Sequence, residues 1–203
     1  MIRRLLIANR GEIAVRIIRA CKELGIETVV VYSTADKESL AVQLADQAVC
    51  IGPAPAKDSY LNMGLIVQTA CSTGCDAVHP GYGFLSENAK FARLVQECDM
   101  TFVGPNPKLI QMMGDKTQAR KLMKEAGVPV VEGCEDALKS VEDAKNMAES
   151  IGYPVIIKAR LGGGGRGMRI VYKAEDLENA YTEARQEAKV CFENDEVYME
   201  RLC

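Results

Sequence analysis

The chain has 203 residues, 48% of them hydrophobic and 26% charged, with a formal net charge of −3. That length holds one large domain or two small ones, and the composition is ordinary for a soluble globular protein. The charge balance gives no electrostatic case for a nucleic-acid partner, and no apolar run approaches the roughly 20 residues that span a bilayer.

The N-terminal apolar stretch stops at Asn9-Arg10-Gly11-Glu12, too early for a signal peptide. Leu5-Leu6-Ile7-Ala8 therefore reads as a first strand. Ile13, Ile17, Ala20, Cys21 and Leu24 then share one face of a helix that Gly25 stops. Thr28-Val29-Val30-Val31-Tyr32 is apolar and β-branched throughout, as a parallel strand covered on both faces should be. A short helix over Ser39–Ala45 leads to Ala48-Val49-Cys50-Ile51. Helices over Leu61–Thr73 and Glu87–Cys98 precede strands at Ala77-Val78-His79 and Thr101-Phe102-Val103. This alternation predicts a doubly wound parallel α/β sheet, which binds ligands at the C-terminal ends of its strands. The turns at those ends are Asn9–Glu12 and His79–Asn88.

Gly104-Pro105-Asn106-Pro107 breaks the pattern. A methionine-rich helical stretch, Lys108–Ala126, follows, interrupted at Gly114-Asp115-Lys116. Beyond Gly127-Val128-Pro129 the spacing predicts an α+β unit. It has a strand near Val128–Val131, a helix over Val141–Ser150, a strand at Val155-Ile156-Ile157-Lys158, a helix over Ala174–Val190 and a terminal strand Val197-Tyr198-Met199. Glu175, Glu178, Glu183 and Glu187 lie off the apolar stripe of the second helix and read as a solvated face. The eight cysteines are scattered, Cys71-x-x-x-Cys75 has no second pair, and His79 is the sole histidine. That pattern predicts reduced thiols in a cytoplasmic protein and no metal site.

Residues 158–172 carry the most informative local chemistry: Lys158, a run of four glycines at 162–165, Arg166, Gly167 and a second strand from Met168. Gly162, Gly164 and Gly167 satisfy G-x-G-x-x-G, but that fingerprint requires a helix directly after the loop. The Walker pattern requires Lys and Ser/Thr where Met168 and Arg169 stand. A strand–glycine–strand hairpin between two cations remains, read as a flap over nucleotide phosphates or as a plain hairpin tip. Lys158 shares a strand face with Ile156 and is expected to point into an apolar interior, where an anionic ligand or a buried salt bridge would balance it. Lys116 reads as a surface lysine on spacing alone. Glu87 reads equally as a cap partner, a core-rim residue or a catalytic group, and Tyr82 between two glycines is compatible with simple packing.

Taken together, several strings resemble the biotin carboxylases of the ATP-grasp superfamily over essentially the whole chain. They are Ile7–Ala14, Arg19–Gly25, Ser59–Asn62, His79–Asn88, Met113–Lys116 and Gly162–Met168. The resemblance implies ATP- and bicarbonate-dependent carboxylation of biotin on a carrier protein. The acetyl-CoA carboxylase subunit, first in fatty acid synthesis, is the nearest likeness, and the same region of a pyruvate or propionyl-CoA carboxylase is the alternative. It implies ATP contacts at Lys116, Lys158, Gly163, Gly164, Gly165 and Met168, and at the hinge Glu200, Arg201, Leu202 and Cys203. Tyr82 and Glu87 then border bicarbonate and biotin, and Arg19 and Glu23 lie in a homodimer interface. The implied organisation is an N-terminal domain over 1–104, a helical linker over 105–130 and an ATP-grasp lid over 131–203. The implied partners are a biotin carboxyl carrier protein and a carboxyltransferase, with no nucleic acid and no membrane.

Two departures stand out. Arg160-Leu161 replace the small residues more usual there, which bears on loop geometry. The resemblance also stops at the join to a C-terminal subdomain, which in the family carries the Mg²⁺ ligands, the bicarbonate-binding cations and the base. On that reading the chain alone is catalytically incomplete, and a non-catalytic nucleotide-binding or dimerisation module is the contrasting reading.

Overall fold

The computed structural model describes residues 2–134, 136–161 and 165–202. The chain divides into two compact units, Met1–Gln111 and Met112–Cys203.

The first unit is built on five parallel strands: β1 (Arg4–Ile7), β2 (Glu27–Tyr32), β3 (Gln47–Cys50), β4 (Ala77–His79) and β5 (Thr101–Phe102), in the order β3-β2-β1-β4-β5. Helices α1 (Gly11–Glu23), α2 (Leu40–Leu44), α3 (Met63–Ser72) and α4 (Ala89–Glu97) cover it. Strand side chains alternate between two cores, as the period-2 pleat requires. Leu6, Val29, Val31 and Val78 join Ile66, Ala70, Phe91 and Val95 of α3 and α4. Leu5, Ile7, Val30 and Ala77 join Ile17, Ile18 and Cys21 of α1 and Ala41 of α2. Both faces are thus buried, which is why these strands carry uninterrupted apolar runs.

Two helices start two residues later than the apolar periodicity suggests, because asparagines cap them. The Asn62 and Asn88 carboxamide oxygens accept from the Leu65 and Phe91 N–H groups at 3.1 and 3.0 Å. Glu87 consequently precedes the cap of α4 and is exposed.

Helix α5 (Pro107–Gly114) spans the division between the units, and α6 (Lys116–Glu125), α7 (Val141–Ile151) and α8 (Leu177–Phe192) belong to the second. Its sheet is antiparallel, β7-β6-β8, from β6 (Val155–Ala159), β7 (Met168–Val171) and β8 (Val197–Arg201). The expected strand over 128–131 does not form. Pro129 has no N–H to give a ladder, the Val131 carbonyl accepts from Arg120 instead, and pairing is reduced to one bridge between Gly133 and Glu200. Val155, Ile157, Ala159, Val171, Val197 and Met199 form the core with Ala144, Ala148, Leu177, Ala184 and Ala188 of the two long helices.

Candidate functional site

Lys158 is the fourth residue of β6, and the core takes its neighbours Ile157 and Ala159. It therefore lies on the sheet face opposite the one α7 and α8 cover; it shares that face with Ile156, as expected, and with Tyr198, both buried, and an ion pair balances its charge there. The run Val155-Ile156-Ile157 is apolar on both faces, so alternation alone did not distinguish them. On its own face Lys158 stands opposite Tyr198, and Ile156 opposite Glu200. The diagonal brings the Lys158 ammonium onto the Glu200 carboxylate as an ion pair, with side chains 26% and 14% exposed. Tyr198 is buried, and its hydroxyl is pushed upward in pKa by burial, then by the charge of Glu200.

Lys116, the first residue of α6, joins this cluster. Its Nζ donates to the Ala159 carbonyl at 3.1 Å. Burial first and the Lys158 charge second lower its pKa, with Glu200 opposing. It is half-buried beside charged groups rather than a plain surface lysine. Two ammonium groups around one carboxylate leave a net positive, partly desolvated spot at the end of a strand. Such a spot favours a multiply charged anion.

Next to it, Asp115 caps α6. Its Oδ1 accepts from the Thr117 and Gln118 N–H groups at 3.0 and 3.2 Å and from the Thr117 hydroxyl at 2.8 Å. Arg160 bonds the same carboxylate. Burial opposes ionisation of Asp115, but the bonds from Arg160, Thr117 and Gln118 bring its pKa down to about 2. Neither Asp115 nor Arg160 was a sequence-level candidate. The cap was readable from Asp before the Lys116 helix, whereas their pairing spans 45 positions and has no local signature.

The other expected nucleotide contacts distribute as follows. Gly165 is exposed at φ +76°, and Met168 pairs with Lys158 in the β6–β7 ladder. The Arg201 guanidinium reaches Glu132 at 3.8 Å, and the Leu202 N–H donates to the Pro154 carbonyl at 3.1 Å. Gly163, Gly164 and Cys203 lie outside the described residues. Gly167 is required sterically: its φ is +66°, and a Cβ there would meet the Ala159 Cβ at 2.9 Å. The acids read as a solvated face include Glu183 and Glu187, which from that face also hold Arg169 of β7, at 2.9 and 2.8 Å.

In the first unit, the loops after β1 and β4 meet where neighbouring connections diverge to opposite sheet faces, the usual ligand-binding position in such sheets. Asn9 Nδ2 donates to the Pro80 and Tyr82 carbonyls, both at 2.7 Å. Gly81 packs so closely on Asn9 that a Cβ would lie 2.8 Å from Nδ2. Tyr82 is exposed, and its hydroxyl donates to the Glu12 carboxylate. Glu87 is on the same loop but not in this hydrogen-bond set. Arg10 spreads over the rings of Tyr60 and Phe84 and pairs with Asp36 at 3.4 Å. Arg19 and Glu23 are exposed one turn apart on α1 and line a surface groove of about 650 Å³ with Arg16 and Leu40.

Among the described residues, no group of three His, Cys, Asp or Glu side chains is arranged to hold a metal ion, and Glu200 is already ion-paired. No helix among them is long and apolar enough to cross a membrane.

Comparison with known proteins fits this geometry. Residues 1–110 match the family model "biotin carboxylase, N-terminal domain", and residues 115–203 match "carbamoyl-phosphate synthase L chain, ATP binding domain". The two matches define the class, the ATP-dependent carboxylases and ligases. Biotin carboxylase 1 of Bacillus subtilis is 59% identical over 201 residues, 99% of this chain and 45% of that protein. A Campylobacter jejuni biotin carboxylase–β,γ-ATP complex superposes with a TM-score of 0.96 at 47% identity, covering 100% of this chain and 45% of that one. The biotin carboxylase domain dimer of Hydrogenobacter thermophilus 2-oxoglutarate carboxylase, with MgADP, ADP and bicarbonate, gives 0.94 at 50% identity, covering 100% and 44%. The chain belongs to the biotin carboxylase family, and it spans about 45% of the length of the curated relatives it matches.

Proposed function

We propose that this chain supplies the N-terminal part of a biotin carboxylase, in which Lys116 and Lys158 bind the phosphates of ATP during bicarbonate-dependent carboxylation of biotin. The observation that carries this is the pair of partly buried lysines at the end of β6, Lys158 paired with Glu200 and Lys116 bonded to the Ala159 carbonyl. The ATP, MgADP and bicarbonate bound by its structural relatives support it. In this reading the loop Gly162–Gly167 closes over the phosphates as a lid, with Gly163, Gly164, Gly165 and Met168 contacting ATP, and the backbone of the hinge strand Glu200 to Cys203 reads the adenine edge. Residues 1–104, 105–130 and 131–203 act as N-terminal domain, helical linker and lid.

In the same reading Tyr82 and Glu87 face the bicarbonate and biotin region, and Arg19 and Glu23 meet a second copy through the exposed face of α1. Carboxylates outside these residues would hold Mg²⁺, which offsets charge on the transferred phosphoryl group. The chain's cytoplasmic partners are a biotin carboxyl carrier protein and a carboxyltransferase, of acetyl-CoA carboxylase in fatty acid synthesis. The 2-oxoglutarate carboxylase relative supports keto-acid carboxylases, such as pyruvate carboxylase, as the second reading for the acceptor.

Lysine acylation tests the site. Saturating ATP is expected to protect Lys116 and Lys158 from an N-hydroxysuccinimide ester, read by peptide mass spectrometry, while exposed Lys22 and Lys57 remain labelled. Equal labelling of Lys116 and Lys158 with and without ATP contradicts the assignment.

A further inference from the structure

Arg160 follows β6 directly, and its guanidinium lies against the start of α6. Nε reaches the two Asp115 carboxylate oxygens at 3.2 and 3.1 Å, Nη2 reaches Oδ2 at 2.7 Å, and Nη1 reaches Glu196 at 3.2 Å. One residue earlier, the Ala159 carbonyl accepts from Lys116 Nζ at 3.1 Å. Two consecutive residues at the end of the strand therefore grip two consecutive residues at the start of the helix.

The grip acts against an electrostatic cost. Lys116 is partly buried and tied to the Ala159 carbonyl, near enough to feel the charges of Lys158 and of the Glu200 carboxylate that pairs with Lys158, and two like charges in such a place repel. Relaxation of the first turn of α6 away from β6 would relieve that repulsion. The Arg160–Asp115 pair resists it from outside the cluster. It is bidentate and charge-assisted, its side chains are 24% and 13% exposed, and neither lysine is consumed in making it.

We propose that Arg160 is a positioning residue: through Asp115 it holds the first turn of α6 so that the Lys116 ammonium faces a polyphosphate bound beside Lys158. This rests on the nucleotide reading of the lysine pair and adds to it the residue that sets the geometry. Arg160 itself touches no phosphate in this arrangement. A pre-positioned cation spares the bound state the cost of ordering it.

The test is calorimetric titration of ATP into the 203-residue chain. Arg160→Ser is expected to weaken binding about tenfold, and Arg160→Lys, which keeps one N–H contact to Asp115, to recover part of the loss. Because Arg160 acts through Lys116, Arg160→Ser causes no further loss in a Lys116→Ala background. Amide exchange at Thr117 and Gln118 quickens in Arg160→Ser while exchange across 155–157 stays slow, which establishes that the variant is folded. Wild-type affinity in Arg160→Ser, or an undiminished loss in the Lys116→Ala background, overturns the positioning role. A folded wild type that binds no ATP overturns the nucleotide reading itself and the proposal with it.

Discussion

Lys158 and Glu200 stand diagonally across neighbouring antiparallel strands, and their charged ends meet on the sheet face turned away from α7 and α8. Glu200→Gln keeps the volume but leaves the Lys158 ammonium without its counter-charge. Urea denaturation is expected to report a loss of about 1–2 kcal/mol. The local potential becomes more positive, so ATP affinity holds or rises. Unchanged stability with weakened ATP binding would mean that the Glu200 carboxylate, and not only the backbone at the adenine edge, holds the nucleotide in place of Lys158.

Asp115 gives the second unit an acid-sensitive contact. Its carboxyl has a folded pKa of about 2 against an ordinary 3.8, so its contribution is fully present above 3.8 and is lost as pH falls towards about 2. Asp115→Asn is expected to cost about 1–2 kcal/mol at pH 7. The difference between variant and wild type should shrink between pH 4 and pH 2 in denaturation series, as roughly expected for a single depressed carboxyl. A difference that does not change over that window contradicts the ionic account of the cap.

Tyr60 is fully buried in the first unit, where its hydroxyl accepts from the Ser33 N–H at 2.9 Å and donates to Asp36 at 2.7 Å. Tyr60→Phe strands a buried N–H and removes one support of the Arg10-binding carboxylate. The expected cost is about 1–3 kcal/mol in thermal or urea unfolding. Burial, then Asp36, pushes the Tyr60 pKa up to about 12, and burial likewise raises Tyr198, so ultraviolet titration of the native protein should show these two phenols ionising well after the exposed ones.

Two glycines of the hairpin separate conformational from steric demand. Gly165→Ala meets nothing within 4 Å and carries the left-handed φ alone, a cost of about 1–2 kcal/mol. Gly167→Ala has a similar φ and also drives a methyl to 2.9 Å from the Ala159 Cβ. It should therefore be the more destabilising of the two in parallel unfolding curves. Equal effects would mean that the β6–β7 turn yields without cost.

The first unit was largely legible because its chemistry is local. Val29, Val30 and Val31 advertise a strand buried on both faces, and each intervening helix has its own apolar periodicity. Helix starts at Asn62 and Asn88 needed the cap, a single hydrogen bond, to outrank the periodicity. The second unit was less legible. Ile156 and Ile157 give no means of deciding which strand face the helices cover; α7 and α8 take the Ile157 side, and Lys158 shares the other, also buried, face with Ile156 and Tyr198. Val128, Val130 and Val131 have the residue types of a strand, yet Pro129 and Arg120 remove the partners a ladder needs. Arg160 and Asp115 meet only because β6 ends where α6 begins, a coincidence of tertiary structure that no spacing announces.

In the proposed function Lys116 and Lys158 together bind nucleotide phosphate. Titration of ATP into the folded chain and into the Lys116→Ala/Lys158→Ala double variant, with circular dichroism to verify the fold, tests it most directly. The expected result is saturable binding by the wild type and a loss of about a hundredfold or more in the double variant. Equal affinity in the two proteins would contradict it.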